Sequence, residues 1–107
     1  MSISAVERFE TILAGGADSP SLRFALGTEY AKLGQMLLAI EHLSRAVVQD
    51  PKFSAAWKLL GKAQVEAGLA QDAIDSYRKG IRIATQHGDM QAAREMKVFL
   101  KRLQKVS

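Results

Sequence analysis

The chain has 107 residues, a single-domain length, and 48% of them are hydrophobic, which suffices for one apolar core without metal or cross-link. It has no cysteine, so disulfides, thiolate chemistry and sulfur-ligated zinc are excluded, and a reducing compartment suits it. A net charge of +4 and a pI near 9.6 raise the question of nucleic acid, but the excess is local. Residues 88–107 carry Arg94, Lys97, Lys101, Arg102 and Lys105 against Asp89 and Glu95, a net +3.

The opening residues have neither a basic n-region nor a continuous apolar run, so no signal peptide is expected. The longest apolar stretch, Met36 to Ile40, is too short to cross a bilayer. A soluble, cytoplasmic protein without membrane contact is the expectation.

Ser4-Ala5-Val6-Glu7 is a capping box, and Ile3, Val6, Phe9 and Ile12-Leu13 recur behind it at helical spacing until Gly15-Gly16. Ser19-Pro20 opens a second helix over 20–33, an N-cap followed by proline at the first position. Leu22, Leu26, Tyr30 and Leu33 form its stripe, and Gly34 suits a left-handed C-terminal turn. Leu37, Ala39, Ile40, Leu43 and Val47 form the next stripe, which stops before Pro51.

The plan then repeats. Ser54 can cap a helix with Trp57, Leu60 and Val65, Gly68 closes it, and Ala73, Ile74, Tyr77 and Ile81 lie on the helix that follows. An offset of 34 residues maps Leu26-Gly27 onto Leu60-Gly61, Gly34 onto Gly68, and Ala39-Ile40 onto Ala73-Ile74 without a gap. The same offset backwards maps Ala39 and Leu43 onto Ala5 and Phe9, so the first helix is the second half of a truncated repeat. Beyond Gly88, Asp89 is a candidate N-cap, and Met96, Phe99, Leu100 and Leu103 share one face of a last helix. Arg94, Lys97, Lys101 and Lys105 take the other face, as a cap exposed to water requires.

A 34-residue period carrying Trp57-x2-Leu60-Gly61 and Ala73-x3-Tyr77 in one copy, and Leu26-Gly27-x2-Tyr30, Ala39-x3-Leu43 and Pro51 in the other, resembles the tetratricopeptide repeat. Arg23 stands where that family usually has tryptophan, Gln64 replaces its tyrosine, Gly80 its small alanine and Thr85 its proline. The resemblance implies an all-α superhelix of about six antiparallel helices in one domain. Residues 1–16 would be a half repeat, 20–53 and 54–87 two full repeats, and 88–107 a capping helix.

By that resemblance the first helix of each hairpin lines a concave groove, with Ser21, Phe24, Thr28, Ala31 and Lys32 on the first repeat and Ala55, Lys58, Lys62, Val65 and Glu66 on the second. Phe24, Thr28, Lys32, Lys58, Lys62 and Val65 are the candidate partner-binding residues. Lys58 and Lys62, one helical turn apart, suit an acidic peptide with apolar residues, the alternative being that they only solvate the groove. The family's carboxylate clamp is missing, because its positions fall on Phe24, Thr28, Leu59, Asp89 and Ala93.

The expected function is a non-catalytic adaptor that binds a peptide segment of another protein. The alternative is a structural or self-associating subunit, and the expected state is a monomer or weak homodimer. Arg94, Lys97, Lys101 and Lys105 could touch RNA, but Trp57, Tyr30, Tyr77 and Phe99 fall on core positions and leave little aromatic surface for bases. His42, read as a second-helix surface residue, and His87, in a turn, have no metal-ligating company, and no phosphate loop or nucleophile motif occurs. No enzyme, cofactor or metal is expected. Glu41 with Arg45 and Asp75 with Lys79 read as surface pairs.

Overall fold

A computed structural model describes residues 4–106, within which the six helices come in the expected order. They are α1 (Ala5–Ala14), α2 (Pro20–Lys32), α3 (Met36–Gln49), α4 (Ser54–Glu66), α5 (Ala70–Gln86) and α6 (Met90–Val106). Ile3, assigned to the first stripe, lies outside the described residues. Successive helices pack on one another, and α4 additionally meets both α2 and α6. Two layers result, α2, α4 and α6 on one side and α1, α3 and α5 on the other, in a body of 45 × 28 × 19 Å.

The turns after α2, α4 and α5 are built alike, and the end of α1 at Gly16 uses the same pair of bonds at φ of 100°. After α2, Gly34 has φ of 76°, its N–H bonds the Ala31 carbonyl at 3.0 Å, and the Gln35 N–H reaches back to the Tyr30 carbonyl at 3.0 Å. Gly68 and Gly88 repeat this pair of bonds at φ of 80° and 77°. This is the Schellman closure, which satisfies helix-end carbonyls and favours glycine at the left-handed position.

Inside each hairpin the helices approach closely enough to exclude a side chain. A Cβ at Gly27 would lie 2.5 Å from Leu43 Cγ, and one at Gly61 would run into the Tyr77 ring. Leu43 and Tyr77 are equivalent under the offset of 34, so both repeats use one packing solution. Gly80 performs a third close approach, where a Cβ would meet Met96 Sδ at 2.6 Å and Trp57 Cβ at 2.8 Å, seating α6 on the second repeat.

The helix starts divide. Ser4 and Ser19 cap α1 and α2 by accepting from the Glu7 and Leu22 N–H groups, and Asp89 accepts from Ala92 N–H ahead of α6. Ser54 does not act as a cap: it is buried in the first turn of α4, and Phe53 occupies the cap position without a side-chain bond. The entry is held instead by the Phe53 carbonyl, which accepts from Ala56 and Trp57, and by Trp57 Nε1, which donates to the Pro51 carbonyl at 2.8 Å.

His42 departs from expectation. It is 6% exposed, not on the surface, and stacks on Tyr30 with ring centroids 5.5 Å apart. Arg23 Nη1 donates to its Nδ1 at 3.1 Å, which leaves the neutral ring's proton on Nε2, facing Glu10 Oε1 at 3.4 Å. Arg23 also holds Asp18 by two bonds of 2.8 and 2.9 Å, and Gln49 donates to the same carboxylate. The arginine at the family's tryptophan position thus ties α2 to the loop before it and to α3 by polar contacts. Neither Glu41 with Arg45 nor Asp75 with Lys79 closes an ion pair, and Asp75 accepts instead from Gln71 at 3.4 Å.

Candidate functional site: a trough across α4

The candidate residues fall into separate hollows along the α2, α4 and α6 layer. Thr28 and Lys32 of α2 lie with Met36, Leu59, Lys62 and Glu66 around a cleft of about 260 Å³. On the other flank of α4, Lys62, Val65 and Glu66 face Phe99, Arg102 and Leu103 of α6 across a cleft of about 400 Å³ floored by Tyr77. Lys62 and Glu66 line both, so the two clefts adjoin across α4, and together they are called the trough.

Phe24 lines neither cleft: it is half-buried, with its ring 4.8 Å from that of Phe53, and supports the turn into α4. Its carbonyl accepts the Thr28 hydroxyl at 2.8 Å, so Thr28 presents mainly its methyl group to the trough. Lys32 is exposed and leans on Glu29 at 3.3 Å.

The two central lysines differ. Lys58 Nζ donates to Glu95 Oε2 at 2.6 Å, bridging α4 and α6 beside a small hollow of about 140 Å³. That bond, and then the Gln91 amide on the same carboxyl group, holds Glu95 below the usual carboxylate range. Lys62 closes no ion pair among the described residues, and its ammonium lies 5.5 Å from the centroid of the Phe99 ring. Of the pair read together from the sequence, one charge is already matched within the chain.

Phe99 also departs from its assignment as pure core. Its ring lies 5.8 Å from that of Tyr77, but it is only half-buried and its outer part forms a wall of the larger cleft. Tyr77 beneath it is buried, which pushes its phenol up to about 12. Phe99 and Leu103 were absent from the candidates because helical period sets them on the apolar face that covers the stack, and Arg102 was given to neither face; period does not show that a cleft opens between this face and α4.

Among the described residues no group of His, Asp and Glu could hold a metal, and no helix is long and apolar enough to cross a membrane. Arg94, Lys97, Lys101 and Lys105 are all exposed on α6.

Residues 24–88 match the tetratricopeptide repeat family, and the chain belongs to it. The repeated hairpins are those of a helical-repeat protein-interaction module. The chain is 49% identical over 98 residues to the TPR repeat-containing protein PA0015 of Pseudomonas aeruginosa, covering 92% of this chain and 93% of that one. It is 29% identical over 80 residues to the small glutamine-rich tetratricopeptide repeat-containing protein 2 of Mycosarcoma maydis, of which it spans 23%. The solution structure of protein BPP2914 from Bordetella parapertussis superposes with a TM-score of 0.84 at 39% identity, over 97% of this chain and 90% of that one.

Proposed function

We propose that the protein is a non-catalytic adaptor whose α2, α4 and α6 layer holds a segment of a partner protein, with Lys62 at the centre of the contact. Thr28, Lys32 and Val65 contact the segment, Lys58 sets the position of α6 through Glu95, and Phe24 supports the groove from behind. The carrying observation is the trough: two clefts on opposite flanks of α4 share Lys62 and Glu66, which gives an elongated, partly basic surface suited to a polypeptide.

The test is quantitative capture of a partner from native lysate, comparing the natural chain with Lys62→Glu and with Lys58→Gln. The glutamine avoids setting a second carboxylate against Glu95. Lys62→Glu is expected to lose the partner while the helical circular dichroism is unchanged, since Lys62 is exposed. Equal capture by Lys62→Glu would contradict the reading.

Self-association is the second reading, and its support is Leu33, Leu37 and Val48, which are 61%, 72% and 75% exposed. Sedimentation across a wide concentration range separates the two: a monomer throughout removes the second.

A further inference from the structure

We propose that the segment held in the trough carries a large apolar residue, an acidic residue and a second, smaller apolar residue in sequence. The apolar anchor would sit between Val65, Phe99 and Leu103, the acid against Lys62 and Arg102, and the smaller residue against Ala31, Met36 and Leu59. This inference rests on the trough being the binding surface and adds what it recognises.

The shape argues first. The cleft between α4 and α6 has about 400 Å³ and is walled by aliphatic and aromatic groups, whereas the cleft between α2 and α4 has about 260 Å³. A compact ligand would fill one and leave the other wet, while an extended chain crossing α4 at Lys62 reaches both. Alternate side chains of an extended segment project to the same side, so two anchors and a central charge are spaced naturally by a strand-like stretch.

Charge complementarity sets the middle residue. Lys62 and Arg102 stand exposed on the rim of the larger cleft and neither closes an ion pair among the described residues. Glu66 is the one acid of that lining, so the rim is cationic by one charge. Exposed Lys97, Lys101 and Lys105 on α6 extend the positive field at this end, which favours the approach of an acidic segment. Lys58 does not compete for the acid, because Glu95 already occupies its ammonium at 2.6 Å. The cationic head of Lys62, resting 5.5 Å from the centre of the Phe99 ring, lies where the anchor and the acid of one segment would meet it together.

The experiment titrates short glycine-serine peptides into the full-length, isotopically labelled chain and follows amide shifts. One peptide carries Phe, Glu and Leu at alternate positions, a second has Glu replaced by Lys, and a third has Phe replaced by Ser. The first is expected to shift residues of α2, α4 and α6 around the trough, and the other two to bind at least about tenfold more weakly. Val65→Asp, at a 39% exposed position, is expected to weaken the first peptide by a similar factor with its helical spectrum intact. Lys62→Glu is expected to reverse the preference between the Glu and Lys peptides.

Equal binding of the Glu and Lys peptides would overturn the proposal, as would indifference to the loss of Phe. Shifts confined to Thr28, Ala31 and Lys32 would overturn the anchor at Phe99 and leave the trough as the binding surface. Absence of any shift with the first peptide also overturns it, and the capture experiment above then decides separately whether the trough binds a partner.

Discussion

Gln64 and Ser76 occupy, one repeat on, the positions of Tyr30 and His42. In the first repeat two rings stack at this place, and in the second the Ser76 hydroxyl donates to Gln64 Oε1 at 2.6 Å with both side chains buried. The apparent departure of Gln64 from the family pattern is therefore half of an exchange, in which a hydrogen bond replaces an aromatic contact. Removing one partner leaves a buried polar group unpaired, at a cost of about 1–3 kcal/mol. Ser76→Ala and Gln64→Leu should each lower the urea midpoint, and the double substitution should cost less than their sum; strict additivity would show that the bond is not a coupled pair. Gly61→Ala makes a second residue-scale prediction. Its Cβ would meet the buried Tyr77 ring, so overpacking of ~1–3 kcal/mol outweighs the ~1 kcal/mol that alanine contributes to helix propensity. The midpoint should fall, and a rise would show that the ring can move aside. His42 was illegible for a related reason: it shares the inward stripe of Ala39, Leu43 and Ala46 by spacing, but its polarity suggested water. Period was the better guide than residue class.

At the scale of elements, the half repeat α1 is attached differently from the rest. None of its residues is fully buried, and Phe9, the equivalent of buried Leu43 and Tyr77, is only half-buried. Half-buried Val6, Phe9 and Leu13 face the stack, and beside them Glu10 approaches the polar group of Arg23, Asp18 and His42. Burial, the first cause, pushes the His42 imidazole below its ordinary value; Arg23 acts in the same direction and Glu10 opposes it. The folded state thus favours the neutral ring, and stability present above the unfolded value near ~6.5 is lost as pH falls below it. The Arg23 guanidinium beside Asp18 holds that carboxyl far below the usual range, so its contribution is present above ~3.9 and is lost only in stronger acid. The melting temperature should begin to fall below about pH 6.5, and His42→Gln should flatten the slope in that window. An unchanged slope would remove His42 as the titrating group. The helices themselves were legible because capping, glycine and period agreed at most boundaries. Ser54 was misread because it falls inside the first turn: Phe53, whose ring packs against Phe24, takes the cap position, and its carbonyl accepts the first helical N–H groups.

For the molecule as a whole, the offset of 34 residues made the fold readable, since one hairpin repeated in register permits few arrangements other than stacking. The trough was only partly readable. Thr28, Lys32, Lys62 and Val65 follow from knowing which helix faces inward, but the bridge from Lys58 to Glu95 joins residues 37 apart in the chain, and no periodicity reports it. Likewise, Phe99 and Arg102 enter the surface only because α6 packs where a further repeat would begin. The proposed binding face is the trough and not the outer layer, which exposes Val48. The two faces are told apart most directly by placing a photo-crosslinking residue at position 65 in one variant and at position 48 in another, both exposed in the natural chain. Irradiation in native lysate should join the partner to position 65 and not to position 48. Crosslinking from 48 with none from 65 would contradict the account.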